Sequence, residues 1–259
     1  MLKELIYNYF KNNQRAKKDW DGHFAPSDSL KCGRQLYYKR KNITASNPIS
    51  EASFLKMELG NATHLLIQKI LKDSKIEFIE EEDLKTKIYQ GIEFIYRTDG
   101  IYNIDGKKTI IEIKSTYSSG FSAIEHTAKT EHIIQALLYK HLENADKIIL
   151  LYIGRDNGLM HEYHFEDDNL SEYETMLDSE IQKLKNIKDK ILNNDIPDKD
   201  FKIELKNYND KILDNFTKNK IKHKTDWQCS YCQWKNLCWE KELQEIRNHK
   251  FYIDNEFID

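Results

Sequence analysis

Asp99, Glu112 and Lys114 are the residues of this chain whose types and spacing carry the most chemistry. They flank Asp105-Gly106, which lies between two apolar runs and signals a two-residue hairpin loop. With that loop, Ile104 faces Lys107 and Asp99 falls directly opposite Glu112, with Cβ atoms roughly 4.5–5.5 Å apart. Two carboxylates so placed repel each other unless a positive charge sits between them, and a divalent cation would supply it. Glu112 and Lys114 alternate with Ile111 and Ile113 along a strand, so the ammonium shares the carboxylate's face. A carboxylate-bound cation beside an ammonium suits phosphodiester hydrolysis, which needs an activated water and charge neutralisation on the phosphate. The plainer reading of the same three residues is a charge network on a solvated sheet face. A one-residue bulge would also take Asp99 off this register.

Other groups could serve such a site. His64, in the stretch from Gly60 to His64, could ligate a metal through its imidazole or pack as an ordinary helical histidine. Of Glu80, Glu81 and Glu82, which end an early strand, Glu80 is the favoured extra carboxylate. Gln135 and Tyr139 are four apart on a helix, hence on one face, where amide and phenol can bond phosphate or hold a catalytic group. Cys229, Cys232 and Cys238 form a Cys-x2-Cys-x5-Cys group, and the fourth cysteine, Cys32, stands alone near the start. Thiolates hold zinc or iron–sulfur clusters. The three-plus-one spacing suits a [4Fe–4S] site at least as well as zinc, and either would tie the chain's two ends together.

The elements that must position these groups follow from periodicity. Residues 1 to 20 read as helical, followed by an irregular region with Pro26 and Pro48 around a short helix at about 29 to 40. Phe54, Leu55, Leu59, Leu65, Leu66 and Ile70 mark a helix between Ser53 and Leu71, interrupted or strained near Gly60. Strands are expected at about 76–81, 86–90, 92–103 and 108–115. A helix at about 126–143 carries the stripe Ile133, Ile134, Leu137, Leu138 and Leu142. Strands at 147–154 and 159–165 flank a turn at Asn157-Gly158, and 168–193 reads as a long polar helix ended by Pro197. This order predicts a mixed α+β, or α/β, fold in one nuclease-sized domain. Its core spans about 53–166, with helical segments at 1–52 and 167–259.

The 259 residues are 39% apolar and 32% charged, enough for a packed core. No run reaches the roughly 18 apolar residues of a membrane helix, and the start lacks the order of a signal peptide. A soluble cytoplasmic protein is expected, and four cysteines in that compartment suggest metal or redox chemistry. The formal net charge of −3 gives no broad attraction to nucleic acid. Any grip on a polyanion falls to local patches: Lys31, Arg34, Lys39, Arg40 and Lys41, or Lys218, Lys220, Lys222 and Lys224.

Taken together, these residues resemble the RecB-like PD-(D/E)XK nucleases that carry an iron–sulfur cluster. The likeness is greatest to the CRISPR-associated exonuclease family (Cas-four type) and related phage proteins. It spans about residues 28 to 238 and rests on motifs in order. Cys32-Gly-Arg34 leads to Tyr37 and Tyr38; then come Gly60 with His64, Asp99, Glu112 with Lys114, Gln135 with Tyr139, and the three late cysteines. The resemblance implies a restriction-endonuclease-like core whose helical ends join at a [4Fe–4S] cluster on Cys32, Cys229, Cys232 and Cys238. It implies Mg²⁺ or Mn²⁺ on His64, Asp99, Glu112 and the Ile113 carbonyl. Asp99, Glu112 and Lys114 would be catalytic, and Arg34, Tyr37, Tyr38, Gln135 and Tyr139 would guide DNA.

The implied activity is a single-strand DNA exonuclease, with endonuclease activity in some members, working in CRISPR adaptation, phage recombination or repair beside partner proteins. Aromatics among the cations of the Arg34–Arg40 segment suit unpaired or frayed ends, which stack on rings, and would equally suit packing inside the cysteine region. The competing reading is a non-catalytic DNA-end-binding subunit on the same scaffold; a third is a zinc-stabilised binding protein.

Overall fold

The computed structural model describes residues 2–12, 20–74, 76–80, 84–201, 203–205, 223–225 and 227–241. The helices are α1 (Leu2–Asn12), α2 (Gly33–Arg40), α3 (Glu51–Asp73), α4 (Thr130–Glu143), α5 (Ser171–Leu192), α6 (Trp227–Ser230) and α7 (Lys235–Cys238). The strands are β1 (Glu77–Glu80), β2 (Lys85–Tyr89), β3 (Ile92–Tyr96), β4 (Gly100–Ile104), β5 (Lys107–Thr116), β6 (Lys147–Gly154), β7 (Met160–Phe165), β8 (Ile203–Leu205) and β9 (His223–Thr225). The fold is mixed α+β with a central mixed sheet, as expected. Two compact units divide the chain: residues 1–16, 20–30 and 50–188, and residues 17–19, 31–49 and 189–259.

In the first unit, five strands run in the order β1-β4-β5-β6-β7. Asp105 and Gly106 both take positive φ, 54° and 78°, giving the tight turn that matches strand twist. The register runs from Ile104 opposite Lys107 to Gly100 opposite Ile111. β6 then pairs parallel with β5, which requires the crossover supplied by α4. The side chains of β5 alternate between faces. Ile111 and Ile113 pack with Ile67 of α3, Tyr102, Ile149 and Ile153. Glu112 and Lys114 point the other way, toward α4. The α4 stripe of Ile133, Ile134, Leu137, Leu138 and Leu142 is buried, each side chain contributing about 1.5–3 kcal/mol.

Several expectations are corrected. The run 92–103 is two strands in two sheets: β3 pairs with β2, β4 with β5, and Arg97–Asp99 form the break. The α3 helix passes Gly60 without interruption. A Cβ there would stand 3.3 Å from Ser115 Oγ, so the glycine serves a close approach and not a bend. Most of the apolar residues that marked α3, including Leu59, Leu65, Leu66 and Ile70, are exposed. The helix read as polar, α5, buries Leu177, Ile181, Leu184 and Ile187, an i, i+3/i+4 stripe hidden among lysines and glutamates. The first helix covers Leu2–Asn12; residues 13–19, Glu81, Glu82, Lys218, Lys220 and Lys222 lie outside the described residues. No described helix is long and apolar enough to cross a membrane.

Glu143, at the end of α4, fastens the small β2–β3 sheet. It is 2% exposed and accepts bonds from Tyr96 at 2.5 Å, Lys85 at 3.0 Å and Lys87 at 3.1 Å. Burial alone would raise its carboxyl, but these donors outweigh burial and hold it below the usual value. Glu143→Gln should cost roughly 3 kcal/mol at neutral pH, because it removes a buried negative charge that faces both the Lys85 and Lys87 ammonium groups. A depressed carboxyl stabilises above its unfolded pKa, and that stabilisation is lost as pH falls through the folded value. The difference between wild type and variant in urea unfolding should therefore shrink in acid; a pH-independent difference would contradict the assignment.

In the second unit, segments far apart in sequence are stitched together. The Asn47 N–H donates to the Gln233 carbonyl at 2.7 Å, Trp234 Nε1 to the Ile43 carbonyl at 3.0 Å, and the Leu237 N–H to Ser46 Oγ at 3.1 Å. β8 and β9 form a separate antiparallel pair.

Candidate active site and cysteine pocket

At the open end of β4 the backbone ladder stops, and Asp99 turns its carboxylate onto the next strand. Its Oδ2 accepts the Ile113 N–H at 2.7 Å. Its Oδ1 lies 3.2 Å from His64 Nδ1, which must carry the shared proton because a carboxylate only accepts. That tautomer leaves His64 Nε2 with its lone pair. Gln68, one turn along α3, donates from Nε2 to the Asp99 carbonyl at 2.9 Å. Gln68 was missed in the sequence, although its i+4 spacing from His64 was visible.

Glu112 is 4% exposed in the central strand. Lys114 Nζ donates to its Oε1 at 2.6 Å, and Gln135 Nε2 donates to the same oxygen at 2.9 Å. Gln135 Oε1 accepts from Lys114 at 2.9 Å, so one amide holds both members of the pair. Tyr139 stands behind it, its hydroxyl 3.2 Å from Gln135 Nε2. Gln135 and Tyr139 are both buried and brace the Glu112–Lys114 pair. Burial pushes the Glu112 carboxyl up to about 7; the Lys114 ammonium pulls against this, and the charge of Asp99 adds to it. Burial, with Glu112 close by, holds the Tyr139 phenol well above its ordinary value.

Two carboxylates and an imidazole lone pair are the donor chemistry of a hard or borderline cation. Glu112 also carries a charge that its burial disfavours and that a cation would offset. The described residues bond only its Oε1. As they stand, no three described His, Cys, Asp or Glu side chains form a group able to hold a metal ion. The Lys114 ammonium occupies the flank of Glu112 instead. Glu80 pairs with Ile101 through its backbone, and its side chain lies outside the described residues.

In the second unit, Cys32, Cys229, Cys232 and Cys238 line one pocket. Burial raises the thiols of Cys32 and Cys232 and pushes Cys229 up to about 11, and the nearby cysteines add to the rise. Arg34 is held there: its Nε donates to the Pro197 carbonyl at 2.7 Å, and its Nη1 lies 3.9 Å from Cys238 Sγ. Tyr37 and Tyr38 are buried, with the Tyr38 ring centroid 6.1 Å from that of Trp234. No described group of three cysteines meets the demands of a single metal ion.

No family model matches the chain, and no curated protein does. Among solved structures it is similar to SSO0001, with 20% identity over 90% of this chain and 94% of that one, at a TM-score of 0.48. It is also similar to an alkaline exonuclease (LHK-Exo) from Laribacter hongkongensis, with 14% identity over 67% of this chain and 93% of that one, at 0.44. The same exonuclease in complex with dAMP gives 17% identity, 62% and 82% coverage, and 0.40.

Proposed function

We propose that the chain is a metal-dependent deoxyribonuclease of the PD-(D/E)XK, RecB-like type. The observation that carries this is the pair of Asp99, just before β4, and His64 of α3, beside the buried group of Glu112 and Lys114 of β5 and Gln135 of α4. Mg²⁺ or Mn²⁺, held by Asp99, Glu112 and His64 with the Ile113 carbonyl, would supply Lewis acidity at the phosphate. The chain's own residues do the positioning. Lys114 keeps one N–H beyond the two bound to Glu112 and Gln135, and offers it to a water or a non-bridging phosphate oxygen. Gln135, braced by Tyr139, fixes the direction of Lys114, and Gln68 fixes the backbone of Asp99.

The preferred substrate in this reading is single-stranded DNA or a frayed end, cut as an exonuclease with some endonuclease activity. A net charge of −3 does not favour a broad grip on duplex phosphate. A [4Fe–4S] cluster on Cys32, Cys229, Cys232 and Cys238 completes the proposal, supported by the pocket they share and the three-plus-one spacing. The setting is a cytoplasmic DNA-processing system, CRISPR adaptation, phage recombination or repair, with partner proteins.

The experiment is digestion of 5′- and 3′-labelled single strands with Mg²⁺, Mn²⁺, Ca²⁺ or EDTA, in competition with blunt duplex. Cleavage should need Mg²⁺ or Mn²⁺, be weak with Ca²⁺ and stop with EDTA. Undiminished cutting after exhaustive chelation would remove the metal mechanism, and equal cutting of blunt duplex would remove the substrate assignment.

A further inference from the structure

His132 lies on α4 one turn before Gln135, and its partner is Tyr152. Tyr152 stands beside Lys114 in the parallel β5–β6 register, so the two side chains leave the sheet on the same face. Along that face, α4 presents Tyr139 and Gln135 to Glu112 and Lys114, and then His132 to Tyr152. The row of polar groups therefore continues past Lys114 and ends on an imidazole.

The hydrogen bonds fix the form of that imidazole. The Tyr152 hydroxyl accepts the Lys129 N–H at 3.1 Å and lies 2.8 Å from His132 Nδ1. Tyr152 is 1% exposed, and a buried hydroxyl proton left without an acceptor is costly. Its proton must then go to Nδ1, which makes Nδ1 the acceptor and places the ring's own hydrogen on Nε2. Burial, with Lys114 and Lys129 nearby, lowers the ring's pKa to about 3, so the imidazole is neutral. No described residue bonds Nε2. A half-buried ring is thus locked by a buried tyrosine with one N–H donor left over, at the Lys114 end of the site.

The geometry points to His132 as a substrate-contacting residue whose Nε2–H donates to a phosphate oxygen of the DNA strand next to the one attended by Lys114. This rests on the nuclease reading and adds a second anchor point to it. A neutral donor suits this place, because a second cation beside Lys114 would weaken both.

The test compares wild type with His132→Ala, His132→Gln and Tyr152→Phe. Affinity for a 5′-fluorescein-labelled single strand is read by anisotropy in EDTA, kcat and KM by cleavage with Mn²⁺, and folding by thermal unfolding. Loss of one bond to a charged phosphate should weaken affinity and raise KM about tenfold in His132→Ala, with a smaller change in kcat. His132→Gln, whose amide nitrogen reaches about as far as Nε2, should recover much of the loss. Tyr152→Phe, which frees the tautomer but keeps the ring, should lose less than His132→Ala. Wild-type affinity and KM in His132→Ala would overturn the assignment. Equal losses in all three variants would also overturn it, since His132 would then only support Tyr152. Affinity reports on His132 whether or not the chain cleaves, so a wild type that binds without cutting would overturn the nuclease reading alone. A wild type that neither binds nor cuts would overturn both.

Discussion

Asp99→Ala and Lys114→Ala are each expected to reduce DNA cleavage about a hundred- to a thousandfold, and the double variant about a thousandfold or more, with the fold retained. In the proposed site each removes a group that would act where charge develops, and loss of one such group commonly costs on the order of 10²- to 10³-fold. Asp99→Ala removes the acceptor of the Ile113 N–H and the partner of His64, so a local stability loss of about 1–3 kcal/mol accompanies the catalytic one. Lys114→Ala leaves Glu112 buried with Gln135 as its remaining partner, and that carboxyl, already displaced upward, should rise further. Circular dichroism separates folding from catalysis. A double variant that cuts at the wild-type rate would take these residues out of the chemistry.

Cys32→Ala and Cys232→Ala should be comparably damaging, though the two residues lie at opposite ends of the sequence. Both line the pocket that all four cysteines share, and in the proposed cluster each thiolate lost would remove part of a metal-linked folding energy. With the metal bound, that energy is on the order of 10 kcal/mol for a structural zinc site, enough to decide whether the segment folds. Iron and labile sulfide per chain, with thermal unfolding, measure the effect. Full iron content and unchanged unfolding in Cys32→Ala would remove Cys32 from the site. Zinc in place of iron in the wild type would exchange one cofactor for the other.

The parts of this site that were legible in the sequence are those governed by local rules. Asp105-Gly106 dictates its turn without help from the rest of the chain, and the turn dictates which residues of β4 and β5 face each other. The spacing of Gln135 and Tyr139 gave their shared helix face, while only the packed structure shows the amide joined to both Glu112 and Lys114. The break at Arg97–Asp99 was invisible because favourable strand residues continue on both sides; β3 ends at Tyr96, opposite Lys85, where its hairpin partner β2 begins. Gly60 misled because glycine inside a helix signals weakness as readily as close approach, and only the position of Ser115 decides between them. Tyr37 and Tyr38 posed the same difficulty, since an aromatic pair among cations suits a nucleic acid or a core, and the structure buries both.

Asp99 gives one carboxylate two employments, its Oδ2 holding the Ile113 N–H and its Oδ1 meeting His64. β5 is the central strand, flanked by β4 and β6, and the β4 ladder ends at the Gly100–Ile111 pair. Past that point a side chain, instead of a strand, protects the amide from solvent. Whatever draws the Asp99 carboxylate toward itself therefore loosens the last bond on the β4 side of β5. Solvent exchange of that single amide proton is tied to how fully the carboxylate is committed elsewhere. Fraying at that amide and commitment of the carboxylate elsewhere are, at Ile113, the same end of one equilibrium.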